Sequence, residues 1–480
     1  RPQETGTKIW VQVRPPEDLQ AHLAAGGQVR AFNANFERCM TNGGPGQKLG
    51  LPQITIEQTY CVAAKAANMG MPRDLDGVAK ALDTHRKDEA GRADMLMLAR
   101  PRRTKGKPWW TPEDAPEKFV NLYCYNVDDT KAERGVDHAL PDMSESEVEV
   151  YALDQRANDR GIQVDLEAVG NIRYLVEEYK RELSARCRQI TADPNNWLDI
   201  GISPTQREKI ADWVREHGYP QLHNMQAETV KEYLRDPACP PLCRELLQIY
   251  SAYNGKAVTK VYKFEEMVCR DGRVRGMFLY YGAGTGRWSS RGVQLQNIFR
   301  PVISPEQVDE AIELFKKRNL GLIKFAFPDH DPMKVMASCI RGMLIAGEGC
   351  DLIFPDFAGI ESRYNAWLWG EEWKLQAFRD YDAGTGPDLY CVAVGRAFNF
   401  DPRSITKKDP RRQLGKVIDL FGGYEGGVGA FVKMADTYGV DLEEMTEQVY
   451  PLLSADVLEQ ALWMWGKFGR RSELPQKVYM

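Results

Sequence analysis

The sequence predicts a multidomain protein that mixes α/β and α+β architecture, and three observations carry that expectation. At 480 residues, with 43% hydrophobic and 10% aromatic content, the chain can form several domains with sizeable cores. Its texture changes at Leu140-Pro141, from short apolar runs broken by Gly and Pro to charged amphipathic helices. Strand-like runs return at 276–281 and 351–356, and a second helical region follows from residue 371 onward.

The first segment, 1–142, reads as one α/β domain, punctuated by the Gly- and Pro-rich stretch 43–52 and the basic, Trp-bearing stretch 101–112. Ser144 followed by Glu147 makes a capping box, and the helix it opens runs to Gly161. From 165 to 268 the pattern is that of a helical arm, with helices expected over 172–190 and 242–269. The connection 297–340 contains a further helical stretch, 306–318. Neither an internal repeat nor a low-complexity tract interrupts the chain.

Charge and cysteine usage narrow the function classes. With 63 Lys plus Arg against 68 Asp plus Glu, the formal net charge is -5, so a nucleic-acid surface has to be a local basic groove and not a bulk property. The ten Cys are scattered without paired CxxC spacing, and Cys239 and Cys243 read as part of a loop, not as a zinc site. No stretch approaches the ~20 apolar residues of a spanning helix and no signal peptide opens the chain, so the expectation is a cytoplasmic protein with no membrane partner.

The chemistry concentrates in two places. The run Leu352-Ile353-Phe354 predicts a buried strand that delivers Asp356 to its tip, followed by Phe-Ala-Gly-Ile-Glu361-Ser-Arg363. A carboxylate on such a scaffold suits a hard divalent cation, although one Asp at a strand end serves equally as a turn former. Further on, Arg412, Lys416, Leu420 and Tyr424 recur at intervals of four, which aligns them on one helical face. Two cations, one apolar residue and one aromatic are an odd mixture for a core stripe. The face is either a solvated basic surface ending at Gly422-Gly423 or a grip for a triphosphate above a sugar and a base.

Asp356-Phe-Ala-Gly-Ile-Glu361-Ser-Arg363 resembles motif A of family A DNA polymerases, D-Y-S-Q-I-E-L-R, and Arg412-x3-Lys416-x7-Tyr424 resembles their motif B. Upstream, Gly284-Thr285-Gly286-Arg287-Trp288-Ser289-Ser290, then Leu295-Gln296-Asn297-Ile298, resembles the family's TGRLSS and LQNIP segment. The resemblance implies a bacteriophage-type enzyme with a right-hand polymerase domain at 143–480: thumb at about 165–270, palm at about 271–370 and fingers at about 371–480. It implies that Asp356 holds two Mg2+ ions, with Mn2+ as an alternative, and that Arg412 and Lys416 bind the triphosphate of a deoxynucleotide. Lys416 would also protonate the leaving pyrophosphate, and Glu361 with Tyr424 would exclude a ribose 2'-hydroxyl. Arg287, Thr285, Gln296 and Asn297 would line the minor groove of primer-template DNA. In the thumb, Lys256 and Lys260 would share a helix face toward phosphates, or else form an ordinary solvated pair.

Two departures qualify the resemblance. Position 420, Phe or Tyr in the family, is Leu, which alters the contact to the sugar. The family's motif C, a His-Asp-Glu turn with the second metal-binding carboxylate, does not occur before Met480. One carboxylate cannot hold two ions about 3.5 to 4 Å apart. The expectation is that residues outside the sequence complete the site; the alternatives are completion by another chain, or an inactive protein.

The segment 1–142 resembles the 3'-5' exonuclease domain of phage family A enzymes, which is RNase H-like. Val29-Arg-Ala-Phe-Asn33-Ala-Asn-Phe-Glu37 resembles the second exonuclease motif, and Tyr125-Asn-Val-Asp-Asp129 resembles the third, Y-x3-D. The stretch 75–82, through Lys87 and Gly91, adds to the likeness. It implies that Asp129 and Glu37 bind divalent metal and that Tyr125 orients the attacking water. Phe32 stands where His is usual, and only Glu4-Thr5 is similar to the tail of the first motif, so the domain reads as incomplete at its start. The leading expectation is template-directed DNA synthesis with proofreading in phage replication, inside a bacterial host and alongside phage replication proteins. A DNA-binding polymerase-like protein without catalysis and an exonuclease-only enzyme are the other readings.

Overall fold

The computed structural model describes residues 17–85, 89–102, 106–398, 401–406, 409–423, 426–438, 440–469 and 475–479. Glu4-Thr5, Lys87 and Tyr424, each invoked by the sequence, lie outside the described residues. The chain divides into two compact units, Arg1–Leu352 and Ile353–Met480. Among the described residues no helix is long and apolar enough to cross a membrane.

In the first unit, strands β1 (Val29–Ala31) and β2 (Thr59–Cys61) pair in parallel. They form a two-stranded sheet, and no further described strand joins them. The helices Ala34–Asn42, Val62–Asn68 and Pro116–Ala139 belong to the same segment. The boundary expected near 142 falls inside this unit. Ala31, Ala34, Tyr60, Cys61 and Ala64 share one buried cluster with Met143, Tyr151 and Tyr280, so packing runs across Leu140-Pro141 without a break. The buried Lys65 ammonium reinforces that join, standing 2.7 Å from Asp137 Oδ1 and 2.8 Å from Asp142 Oδ1.

Ser144 caps the Glu145–Arg160 helix by accepting from the Glu147 amide, and Gly161 ends it, as the sequence predicts. The second half of the capping box is not made, because Glu147 Oε2 accepts from the Tyr280 hydroxyl instead. Strands β3 (Ile162–Val164), β4 (Arg273–Val274) and, later in the chain, β7 (Leu344–Ile345) form an antiparallel sheet with β3 central. Between β3 and β4 lies the helical arm. Its first helix, Leu166–Thr191, buries Ile172, Leu175 and Val176 against a core that also holds Leu246, Leu247 and Phe264. The helix expected over 242–269 is broken: Pro241–Asn254 ends, a 3-10 turn follows at Ala257–Thr259, and a new helix runs over Lys260–Met267. Gly255 interrupts the hydrogen-bond ladder there, and the Thr259 hydroxyl bonds back to the Lys256 carbonyl.

The connection after Asn297 folds into helices Pro305–Phe315, Leu320–Ala326 and Pro332–Cys339, which pack on the arm. Tyr179 donates to Asp331 Oδ2 at 3.0 Å, and Arg318 Nε donates to Asn171 Oδ1 at 2.8 Å. Phe315, Ile323 and Met336 are fully buried in the core that the arm helices also line, so this connection buttresses the arm.

The regular elements described in the second unit are all helices. Cys391, Val394, Ile405, Leu414 and Met445 form its buried centre, with Phe398, Ile418 and Phe431 packed around them. The strand expected at 352–354 is not formed. A strand needs a hydrogen-bonded neighbour, no described strand pairs with this segment, and Ile353 and Phe354 are 85% and 79% exposed.

Candidate functional site

Asp356 stands, exposed, in an irregular segment two residues before the turn Ala358-Gly359. Gly359 adopts φ 61°, a left-handed conformation that a side chain would strain, and starts the Ile360–Trp369 helix. Glu361 falls in the first turn of that helix, where the helix dipole favours a carboxylate. Two residues on, Arg363 makes a two-point ion pair with Asp382 at 2.6 and 2.7 Å and lies over the Phe378 ring. That Arg ties its helix to the helix Glu372–Asp382.

The Pro410–Gly422 helix carries the four-residue repeat. Asp409 caps it and Pro410 begins it. Leu414 and Val417 are buried. Gly415 permits close packing on the Leu389–Phe398 helix, since a Cβ at this position would stand 2.0 Å from the Tyr390 carbonyl oxygen. Arg412, Lys416 and Leu420 are each partly exposed. The Arg412 guanidinium donates to Asp388 Oδ2 at 2.6 Å and lies 5.2 Å from the Tyr390 ring centre. Asp388 is itself fixed, because it accepts from the Tyr390 and Cys391 amides at 3.0 and 3.2 Å. Lys416 Nζ lies 4.1 Å over the Tyr438 ring, a cation–π contact that orients the ammonium without neutralising it.

The helices bearing Glu361 and Lys416 are joined. Ser362 Oγ donates to Asp419 Oδ1 at 2.8 Å, Lys374 Nζ stands 2.7 Å from the same oxygen, and Asn365 Nδ2 donates to the Gly423 carbonyl at 2.9 Å.

Of the residues predicted to contact DNA, Thr285 and Arg287 lie exposed on the hairpin formed by β5 (Phe278–Leu279) and β6 (Ser289–Ser290). Gln296 and Asn297 lie exposed on the 3-10 turn Leu295–Asn297. Lys256 is exposed, whereas Lys260 begins the next helix, donates to Gln294 Oε1 at 2.9 Å and has its pKa lowered by burial. The break at 255–259 thus keeps the two lysines off a common helix.

In the amino-terminal segment, Glu37 lies in the Ala34–Asn42 helix. Its Oε2 is buried without a hydrogen-bond partner among the described residues, and burial raises its pKa. Tyr125 and Asp129 are one turn apart on the Pro116–Ala139 helix, with Tyr125 buried against Gly91. Among the described residues no three His, Cys, Asp or Glu converge as a metal-sized group.

Sequence reasoning missed Asp388, Asp419 and the pair Trp288–Asp154. Asp388 was legible as a cap, standing after Pro387 and before an apolar run. Asp154 was not, because a buried Asp whose partner lies 134 positions away leaves no local signal.

Over 429 residues the chain is 33% identical to the DNA polymerase of Bacillus phage SP02, an alignment covering 87% of this chain and 62% of that protein. It therefore spans less than two thirds of the phage relative's length. Against DNA polymerase I of Chloroflexus aurantiacus it is 24% identical over 216 residues, 44% of this chain and 18% of that one. No protein-family model matches the chain. Among solved structures, the polymerase domain of Pol1 from M. smegmatis, in complex with DNA primer-template and dNTP, matches with a TM-score of 0.51 at 16% identity. That match covers 97% of this chain and 74% of the other, and it shows a shared fold.

Proposed function

We propose that this chain, a relative of phage DNA polymerases and of bacterial DNA polymerase I, adds deoxynucleotides to a primer 3' end under the direction of a template. One observation carries the reading: Arg412 and Lys416 rise from one face of a helix that is tied to the helix bearing Glu361. Two cations at fixed positions suit a triphosphate, whose charge they neutralise as it builds up on the leaving pyrophosphate. Asp388 and Tyr390 hold the Arg412 guanidinium in place before a ligand arrives, and Tyr438 does the same for Lys416. Glu361, with Tyr424 beyond the described residues, is the proposed limit on the sugar.

Asp356 is proposed as one ligand of the divalent ions, Mg2+ or Mn2+, that such a reaction uses. The described residues do not complete a two-ion site, since Asp356 is a single carboxylate and two ions need at least a second. The hairpin with Thr285 and Arg287, and the turn with Gln296 and Asn297, are proposed to meet the minor groove of primer-template DNA. Residues 165–270 would then act as thumb, 271–370 as palm and 371–480 as fingers. Lys256 is the better placed of the two thumb lysines for a phosphate, because Lys260 is engaged with Gln294.

A second activity, 3'-5' exonuclease at Glu37, Tyr125 and Asp129 within 1–142, is favoured by the buried, unpartnered Glu37 oxygen. A carboxylate oxygen shielded from water and left without a donor is what a metal or a bound water would satisfy.

Primer extension with Mg2+ and all four deoxynucleotides tests the main reading. The full-length gene product should extend the primer, and Asp356→Ala should reduce extension by at least about a thousand-fold. Equal extension by the variant would remove Asp356 from the mechanism. For the second activity, release of a mismatched 3' nucleotide should be lost in Asp129→Ala; release at the normal rate would refute it.

A further inference from the structure

The buried carboxylate of Asp419 lies outside every role assigned so far. Its side chain is 3% exposed and Lys374 is 12% exposed, so both charges have been taken largely out of water. Such burial is unfavourable unless pairing and hydrogen bonds offset it, and an apolar pair would hold two helices together at less cost. What a polar tie adds is register, because a hydrogen bond is satisfied in one alignment and not after a slip.

The sequence positions of the tie give it meaning. Ser362 directly follows Glu361, and Leu420 directly follows Asp419. A single 2.8 Å hydrogen bond therefore links the neighbours of two residues assigned to the sugar pocket. One turn on, the Asn365 amide holds the Gly423 carbonyl, so the helices are pinned at two levels. Lys374 brings in the Glu372–Asp382 helix through the same Asp419 oxygen. Three helices thus meet at one buried atom.

We infer that Asp419 is a positioning residue, which through Ser362 and Lys374 fixes the spacing between Glu361 and the Arg412 and Lys416 face and so sets nucleotide affinity and sugar selectivity. This rests on the polymerase reading. Asp419 need not touch the nucleotide; it sets the width of the pocket that does.

The test is single-nucleotide incorporation by the full-length gene product, with a deoxynucleotide and with the matching ribonucleotide, comparing wild type with Asp419→Ala, Asp419→Asn and Ser362→Ala. Asp419→Ala should raise KM for the deoxynucleotide roughly ten-fold and narrow the preference over the ribonucleotide by a similar factor, with kcat changed by less than about three-fold. Asp419→Asn keeps an acceptor for Ser362 and should fall between Asp419→Ala and wild type. Ser362→Ala should show a smaller shift in the same direction. Variants that melt at lower temperature yet keep wild-type KM and sugar preference would reduce Asp419 to a structural role and overturn the inference. Should Asp419→Ala fail to fold, Ser362→Ala decides alone: unchanged KM and preference overturn the inference. A wild-type protein that extends nothing would sink the polymerase reading and this inference together, whereas an active wild type with indifferent variants sinks only the inference.

Discussion

The indole Nε1 of Trp288 donates to Asp154 Oδ1 at 2.8 Å and so fastens the hairpin bearing Thr285 and Arg287 to the buried side of the Glu145–Arg160 helix. Asp154 also accepts from Gln155 at 2.9 Å and Asn158 at 3.1 Å, and its burial pushes its pKa up. The motif that this segment resembles has Leu where this chain has Trp288, and a Leu has no N–H to donate to Asp154. Replacing Trp288 by Phe keeps most of the packing but withdraws one of three donors from a buried acceptor. The loss should be about 1–2 kcal/mol in urea unfolding, together with a several-fold weaker Kd for primer-template DNA. Arg287→Ala, at an exposed position, should weaken DNA binding. Equal unfolding midpoints for wild type and Trp288→Phe would show that the hydrogen bond holds nothing.

A second prediction concerns acid. Arg30 first and Lys65 next donate to Asp142 and hold its carboxyl below the usual carboxylate range. A carboxyl depressed in this way stabilises the fold above its unfolded pKa of about 3.9, and the contribution disappears as pH falls through the folded value. Stability of the first unit should therefore decline as pH drops below about 4, by an amount limited by the half-exposed Asp142 side chain. Lys65→Met should cost about 2 kcal/mol at neutral pH and flatten that decline, with Arg30 compensating in part. A variant with the wild-type pH profile in thermal melts would contradict the assignment.

Gly415 offers a third test, in the second unit. A methyl group there would fall on the Tyr390 carbonyl oxygen, which is backbone and cannot swing aside. Gly415→Ala should destabilise by about 3 kcal/mol and shift Lys416 with its helix, which calorimetry and dNTP titration would record. Normal melting would mean that the two helices have room to part.

How much was legible in the sequence follows from how local each signal is. The helix over 410–422 was legible in its four-residue spacing, and the repeat of Arg412, Lys416 and Leu420 survives as a partly exposed face. The cap at Ser144 and the stop at Gly161 were equally local. The strand before Asp356 was misjudged because an apolar run fixes a strand only when a neighbour pairs with it, and pairing is a long-range fact. The break at 255–259 escaped because amphipathic spacing continues across it, so Lys256 and Lys260 looked like one face. Asp419 lay between Lys416 and Leu420 of the four-residue repeat, yet its partners Ser362 and Lys374 are 57 and 45 positions away, where spacing is silent.

The central claim, that the face carrying Arg412 and Lys416 grips a nucleoside triphosphate during transfer, is tested most directly by single-turnover incorporation of one deoxynucleotide over a range of concentrations. Lys416→Ala should lower the maximal rate by about a hundred-fold or more, and Arg412→Ala should act mainly by raising the concentration needed for half-maximal rate. Wild-type rate and half-saturation in both variants would contradict the account, because the face would then be a solvated basic surface and the triphosphate would bind elsewhere.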